Sequence, residues 1–130
     1  MLSRIGKFNW GGKEVLIVED NRANIAFLKA ILKNSNVSVK VVRNEEKALE
    51  FINSNPSIDL IILNISLFVV NDWDVVSKLK KINKYAPIII QTAQEIYNFY
   101  ESLIDIGIKK VFFKTVDVYV FMAGLDEYLG

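Results

Sequence analysis

A doubly wound α/β fold around a parallel sheet is what this sequence predicts. Two observations carry it. Apolar runs of strand length alternate with segments of helical period, and the runs stop on polar residues. Val15–Val18 stops at Glu19-Asp20, Leu60–Leu63 at Asn64, Ile88–Ile90 at Gln91-Thr92, and Val111–Phe113 at Lys114. In a parallel sheet these ends gather at one mouth.

After Val15–Val18, the residues Ile25, Leu28, Ile31 and Leu32 are spaced for one face of a helix. Val37, Val39 and Val41 alternate with Ser38 and Lys40, as in a half-buried strand. Ala48, Phe51 and Ile52 mark a second helix, ended by Asn53-Ser54-Asn55-Pro56. Val75, Val76, Leu79 and Ile82 mark a third. Ile96, Phe99, Tyr100 and Leu103 mark a fourth, stopped near Gly107, and Val118, Phe121, Met122 and Leu125 a fifth. Runs one, three and four are continuously apolar, as strands covered on both faces should be. Runs two and five are shorter or carry Lys40, Lys109 and Lys110, as edge strands do. That pattern predicts a flavodoxin-like five-stranded sheet in the order 2-1-3-4-5. Its winding reverses between strands one and three, where ligands bind outside the carboxyl ends. Residues 1–12, ending Trp10-Gly11-Gly12, read as a lead-in or linker, and 13–130 as one domain.

Composition narrows the chemistry. The chain has 130 residues, 52% hydrophobic and 24% charged, with a net charge of +1. Acids and bases are interspersed, so no electrostatic case exists for nucleic acid or an anionic membrane. No apolar stretch approaches the roughly 20 residues of a membrane span. A cytoplasmic protein is the simplest expectation. With no Cys and no His, chemistry at the mouth must use carboxylates, Lys, hydroxyls or a bound ion. Asp20 or Asn21 can cap the first helix, and Thr92-Ala93-Gln94-Glu95 matches a capping box. Glu19 beside Asp20 is more telling. Adjacent acids repel unless a cation or a Lys neutralises them, and an oxygen-rich site suits Mg²⁺.

Taken together, these motifs make the chain resemble the CheY-like receiver domain of two-component response regulators over about residues 13–129. Val15-Leu16-Ile17-Val18-Glu19-Asp20-Asn21 is similar to the first-strand motif with its acidic pair. Asp59-Leu60-Ile61-Ile62-Leu63-Asn64 is similar to the third-strand motif that ends in the phosphorylated aspartate. Pro87-Ile88-Ile89-Ile90-Gln91-Thr92-Ala93 resembles the fourth-strand motif with its switch hydroxyl, and Phe113-Lys114-Thr115 the fifth-strand Lys-Pro motif. The lead-in Asn9–Lys13 also resembles the linker before receivers of hybrid sensor kinases. The resemblance implies that Glu19 and Asp20 hold Mg²⁺ and that Ser66 offers its backbone carbonyl. Thr92 and Lys114 would meet an incoming phosphoryl group.

The departures point elsewhere. Asn64 stands at the acceptor position. An amide oxygen is a far poorer nucleophile than a carboxylate and forms no acyl phosphate. It also removes a charge from the metal site, so Mg²⁺ would be held less well. Val111 stands where the family usually carries a rotating Tyr or Phe. Phe68, Asp72 and Thr115 replace a proline, a glycine and a proline. The expected function is therefore a pseudo-receiver: a regulatory, non-enzymatic module that acts by protein–protein interaction. Its partners would be a histidine kinase or other signalling proteins. A homodimer through helix four, strand five and helix five would use Tyr97, Phe99, Tyr100, Tyr119, Lys109 and Lys110. Two readings stand beside it. One is an active phosphorelay or hybrid-kinase receiver with another acceptor, such as Ser66, Asp72 or Thr92. The other is a small-ligand binder or enzyme on the same fold, disfavoured by the lack of a Gly-rich phosphate loop.

Overall fold

Three strands are apolar along their length because both faces of the sheet are covered there. In a computed structural model, β1 (Glu14–Val18), β3 (Leu60–Asn64) and β4 (Ile88–Thr92) form the centre. β2 (Ser38–Val42) and β5 (Ile108–Phe113) form the edges. The structure describes residues 8–64, 72–92, 104–113 and 116–130, with the side chains of 72–74 left out. All pairings are parallel, in the order β2-β1-β3-β4-β5. The predicted order is the observed one.

Side chains alternate along each strand, so each strand feeds two cores. Val15, Ile17, Leu60, Ile62 and Ile89 face one side. There they pack under α1 (Arg22–Leu32) and α4 (Val118–Leu129). Leu16, Val18, Ile61, Leu63, Ile88 and Ile90 face the other. Ala48 and Ile52 of α2 (Glu45–Ser54) cover them, with Val75, Val76 and Leu79 of α3 (Asp72–Ile82). Each fully buried Leu or Ile contributes about 1.5–3 kcal/mol of transfer free energy, so this two-sided core dominates the stability.

The helix starts obey local capping rules. Asn21, not Asp20, caps α1, its Oδ1 accepting from the Asn24 amide at 2.9 Å. Asn44 caps α2 through the Lys47 amide at 2.8 Å, and Asp117 caps α4 through the Val120 amide at 3.2 Å. α2 ends in the predicted Asn-rich segment, where Asn55 Nδ2 donates to the Phe51 carbonyl at 2.8 Å. One expected core residue is not core. Ile82 is 41% exposed, because it is the last residue of α3, past the buried face that Val75, Val76 and Leu79 form. The fourth helix expected over 96–103, and the rest of the Thr92 capping box, lie outside the described residues. The stop near Gly107 is present: Gly107 has φ 104° and donates to the Ile104 carbonyl at 3.0 Å.

The described part of the lead-in, residues 8–12, is built into the fold. Trp10 is 1% exposed and joins the α1/α4 core. Its indole Nε1 donates to Asp126 Oδ1 of α4 at 2.7 Å, and its amide to the Ser35 carbonyl at 2.6 Å. Phe8 packs its ring on Trp10 and Tyr119, with centroids 5.5 and 5.8 Å apart. Gly12, at φ 85°, then makes the turn into β1 that a side chain would strain.

α4 lies close on the sheet at Gly124. A Cβ there would overlap the Phe112 ring, which meets Phe121 edge-on at 5.2 Å. Gly124→Ala gains helix propensity of about 1 kcal/mol but overpacks this contact. The expected result is a net loss of about 1–2 kcal/mol, within the range for forced extra methylenes. Urea unfolding checks it. An unchanged or raised midpoint would mean that the ring moves freely aside.

Candidate functional site

The strand register brings the polar residues to one level. Val18 pairs with Leu63, Asn64 with Gln91, and Thr92 with Phe113. Glu19 therefore follows β1 where Asn64 ends β3, at the point where the winding reverses. Glu19 is tied in by its backbone, whose amide donates to the Val42 carbonyl at 3.0 Å. Its side chain is 2% exposed, and Oε1 accepts from the Asn21 amide at 3.1 Å. A buried carboxylate at this place is favoured by the amide it accepts from and by the positive end of α1. Asp20 is exposed. The acidic pair thus splits into one inward and one outward carboxylate.

Asn64 is half-buried and ends β3. Thr92 is fully buried at the end of β4. Val111 is half-buried on β5 and packs against the α2/α3 core. Ser66, Lys114 and Thr115 lie outside the described residues, as do Phe68 and the side chain of Asp72. The structure thus brings Glu19, Asp20, Asn64 and Thr92 to the same end of the sheet. Lys114 follows Phe113 in sequence, directly beyond the paired end of β5.

Sequence reasoning missed one link. Gln91 is 2% exposed, and its Oε1 accepts from Asn24 Nδ2 at 3.1 Å. This bond joins the first turn of α1 to the end of β4, beside Asn64. A Gln closing an otherwise apolar strand was the available signal, since a buried amide needs a partner. The identity of that partner is a long-range fact.

The donor chemistry is oxygen only. Two carboxylates and the amide oxygen of Asn64 suit a hard divalent cation better than a soft one. Among the described residues, no three acids cluster as a metal cage. At the opposite end of the sheet, burial holds the Lys80 ammonium below its usual pKa range, helped by the charge of Lys109. Its Nζ donates to the Ala86 carbonyl at 2.8 Å, so it ties a loop and takes no part in the mouth. Among the described residues, no helix is long and apolar enough to cross a membrane.

Comparison with known proteins places this geometry. A family model for the response regulator receiver domain matches residues 15–125. The chain is 24% identical over 108 residues to the two-component response regulator ORR5 of Oryza sativa subsp. japonica, covering 82% of this chain and 81% of that protein. It is 28% identical over 120 residues to the polar-differentiation response regulator DivK of Brucella anthropi, covering 91% and 97%. Among solved structures, it is similar to the chemotaxis protein CheY4 of Vibrio cholerae. That match has a TM-score of 0.77 and 18% identity, over 90% of this chain and 98% of that one. It is also similar to the receiver domain of a sensor histidine kinase of Pseudomonas aeruginosa, solved with a magnesium ion in its active-site cleft. There the TM-score is 0.78 at 22% identity, over 92% and 99%. With a match over most of its length, a parallel sheet in the order 2-1-3-4-5 and polar strand ends at the reversal, this chain belongs to the response regulator receiver domain family.

Proposed function

We propose that this chain is a receiver domain of two-component signalling that takes no phosphoryl group at its mouth and works as a protein–protein interaction module. One observation carries the reading. The residue that ends β3, level with Glu19 and Gln91, is Asn64. A neutral amide there is a weak nucleophile and leaves the acidic pair without a third charge. Val111 supports it: half-buried against the α2/α3 core, it offers no ring to turn at the position where the family usually carries one.

Mg²⁺ fits the remaining donors, but loosely. Glu19, Asp20, the amide oxygen of Asn64 and the Ser66 carbonyl would hold it. When bound, such an ion would offset charge on an incoming phosphoryl group. Glu19 already commits one oxygen to the Asn21 amide, which lowers what it can offer. Thr92 and Lys114 would then serve the closed mouth rather than a phosphoryl group. The partners under this reading are a histidine kinase or other signalling proteins, with 13–130 as the receiver unit and 1–12 as its lead-in. A homodimer through the fourth helical segment, β5 and α4 belongs to the same proposal. Lys110 on that face already pairs with Glu127 at 3.0 Å, and Tyr119 packs on Phe8.

The test is direct. Incubation with Mg²⁺ and acetyl phosphate, followed by intact mass measurement, is expected to show no added phosphoryl group. A stoichiometric adduct would overturn the reading: loss to hydroxylamine would mark an acyl phosphate, as on Asp72, resistance would mark a phosphoester on Ser66 or Thr92, and peptide mapping would tell which residue carries it.

A further inference from the structure

The outer edge of β2 and the adjoining face of α2 enclose a cleft of about 630 Å³. None of its lining residues belongs to the strand-end mouth, so a ligand held there would bind whatever the state of Asn64. Three features converge in this cleft.

The first is an open backbone edge. The Ser38 amide donates to the Lys13 carbonyl at 2.9 Å, and the Val42 carbonyl accepts from the Glu19 amide at 3.0 Å. Peptide groups alternate in direction along a strand, so those of Val39 and Val41 point away from β1. β2 is the last strand of the sheet on that side. A row of N–H and C=O groups thus faces outward, ready to pair with another extended chain.

The second is charge. Lys40, Arg43 and Lys47 line the cleft with Glu50 as the acid among its lining residues. Lys47 is engaged with Glu50 at 3.4 Å, while Lys40 and Arg43 make no ion pair among the described residues. Two uncompensated cations stand beside an open strand edge in a chain whose net charge is only +1. The third is an apolar floor. Phe51, half-buried on α2, lines the cleft and packs against the α2/α3 core.

We propose that this cleft binds an acidic peptide segment in extended conformation, added as a sixth strand along β2. Backbone pairing would supply affinity, and alternate side chains would supply selectivity. Those facing α2 would present carboxylates to Lys40 and Arg43 and one aromatic ring to Phe51. Nucleic acid fits the site less well, since its phosphates would use the charges but not the strand edge.

The experiment uses the full chain and a capped, fluorescein-labelled peptide, Thr-Glu-Thr-Phe-Thr-Glu-Thr-Glu. Fluorescence anisotropy is expected to show saturable binding that weakens at least tenfold in the double variant Lys40→Glu, Arg43→Glu. Both side chains are exposed, so the circular dichroism of that variant should match the parent. Two further peptides carry N-methyl groups on one or the other alternate set of residues. Methylation of the set facing β2 should abolish binding, and methylation of the other set should leave it. Equal binding of both methylated peptides would reduce the site to simple charge attraction and overturn the proposal. So would an absence of saturable binding, or tighter binding of an oligothymidylate that displaces the peptide.

Discussion

Replacement of Trp10 by Ala is expected to destabilise the chain by about 3–5 kcal/mol, the usual cost of emptying a buried aromatic site. Domains of this size are held by only about 5–15 kcal/mol, so the variant should be close to unfolding at physiological temperature. The reason is the position of the indole. It is 1% exposed, shares a core with Leu28, Leu32, Phe121 and Leu125, and closes a hydrogen bond to Asp126 at 2.7 Å. Trp10→Phe separates the two contributions. It keeps most of the apolar contact and loses the bond, which should cost about 1–2 kcal/mol, as for a hydrogen bond to a charged acceptor that can rehydrate. Urea titration followed by circular dichroism reads both. A Trp10→Ala midpoint equal to that of the parent would show that the lead-in is ornamental and that the fold begins at Lys13.

Replacement of Asn64 by Asp should have the largest functional effect. It would add a third carboxylate beside Glu19 and Asp20, and a competent nucleophile at the end of β3. We expect Mg²⁺ affinity, read by calorimetry, to rise at least tenfold, or about 1.4 kcal/mol. We also expect acetyl phosphate to label the variant and not the parent. The two readouts fail separately. No gain in Mg²⁺ affinity would mean that the Glu19 carboxylate, held by the Asn21 amide, does not face the metal position. A gain in affinity without labelling would place the defect elsewhere in the mouth, with Thr92 and Lys114, the residues proposed to meet a phosphoryl group, the first to check. The variant is also destabilised without metal, because three acids at one mouth repel when the cation is removed. Its stability should therefore rise more steeply with Mg²⁺ than that of the parent.

The central strands were legible because burial on both faces forces unbroken apolar runs, and Val15–Val18 and Ile88–Ile90 could hardly be read otherwise. The edges were legible from Lys40, Lys109 and Lys110, which only solvent-facing positions tolerate. Helix starts were half-legible. The choice between Asp20 and Asn21 as a cap depends on a backbone turn, with Asn21 at φ −80° and ψ 117°, that composition does not encode. Trp10 reads as part of a linker in sequence, because two glycines follow it and no periodic pattern surrounds it. Its burial depends on α4, more than a hundred residues later in the chain. The Gln91–Asn24 bond was hidden for the same reason, since a side-chain pair 67 residues apart leaves no local trace. The mouth itself was legible as a set of strand ends. How its acids divide between the interior and solvent was not, because that is set by one backbone amide.

The bond between Trp10 and Asp126 has a topological consequence. The segment that leads into β1 and the last helical turns of α4 touch each other. The described path therefore nearly closes into a ring, with the sheet strung along it. A short bridge between these segments would span little distance, and the ring could be reopened at an exposed turn such as residues 56–57. Whatever is attached to either segment is delivered to the same corner of the domain, so two appended parts would sit as neighbours rather than on opposite poles.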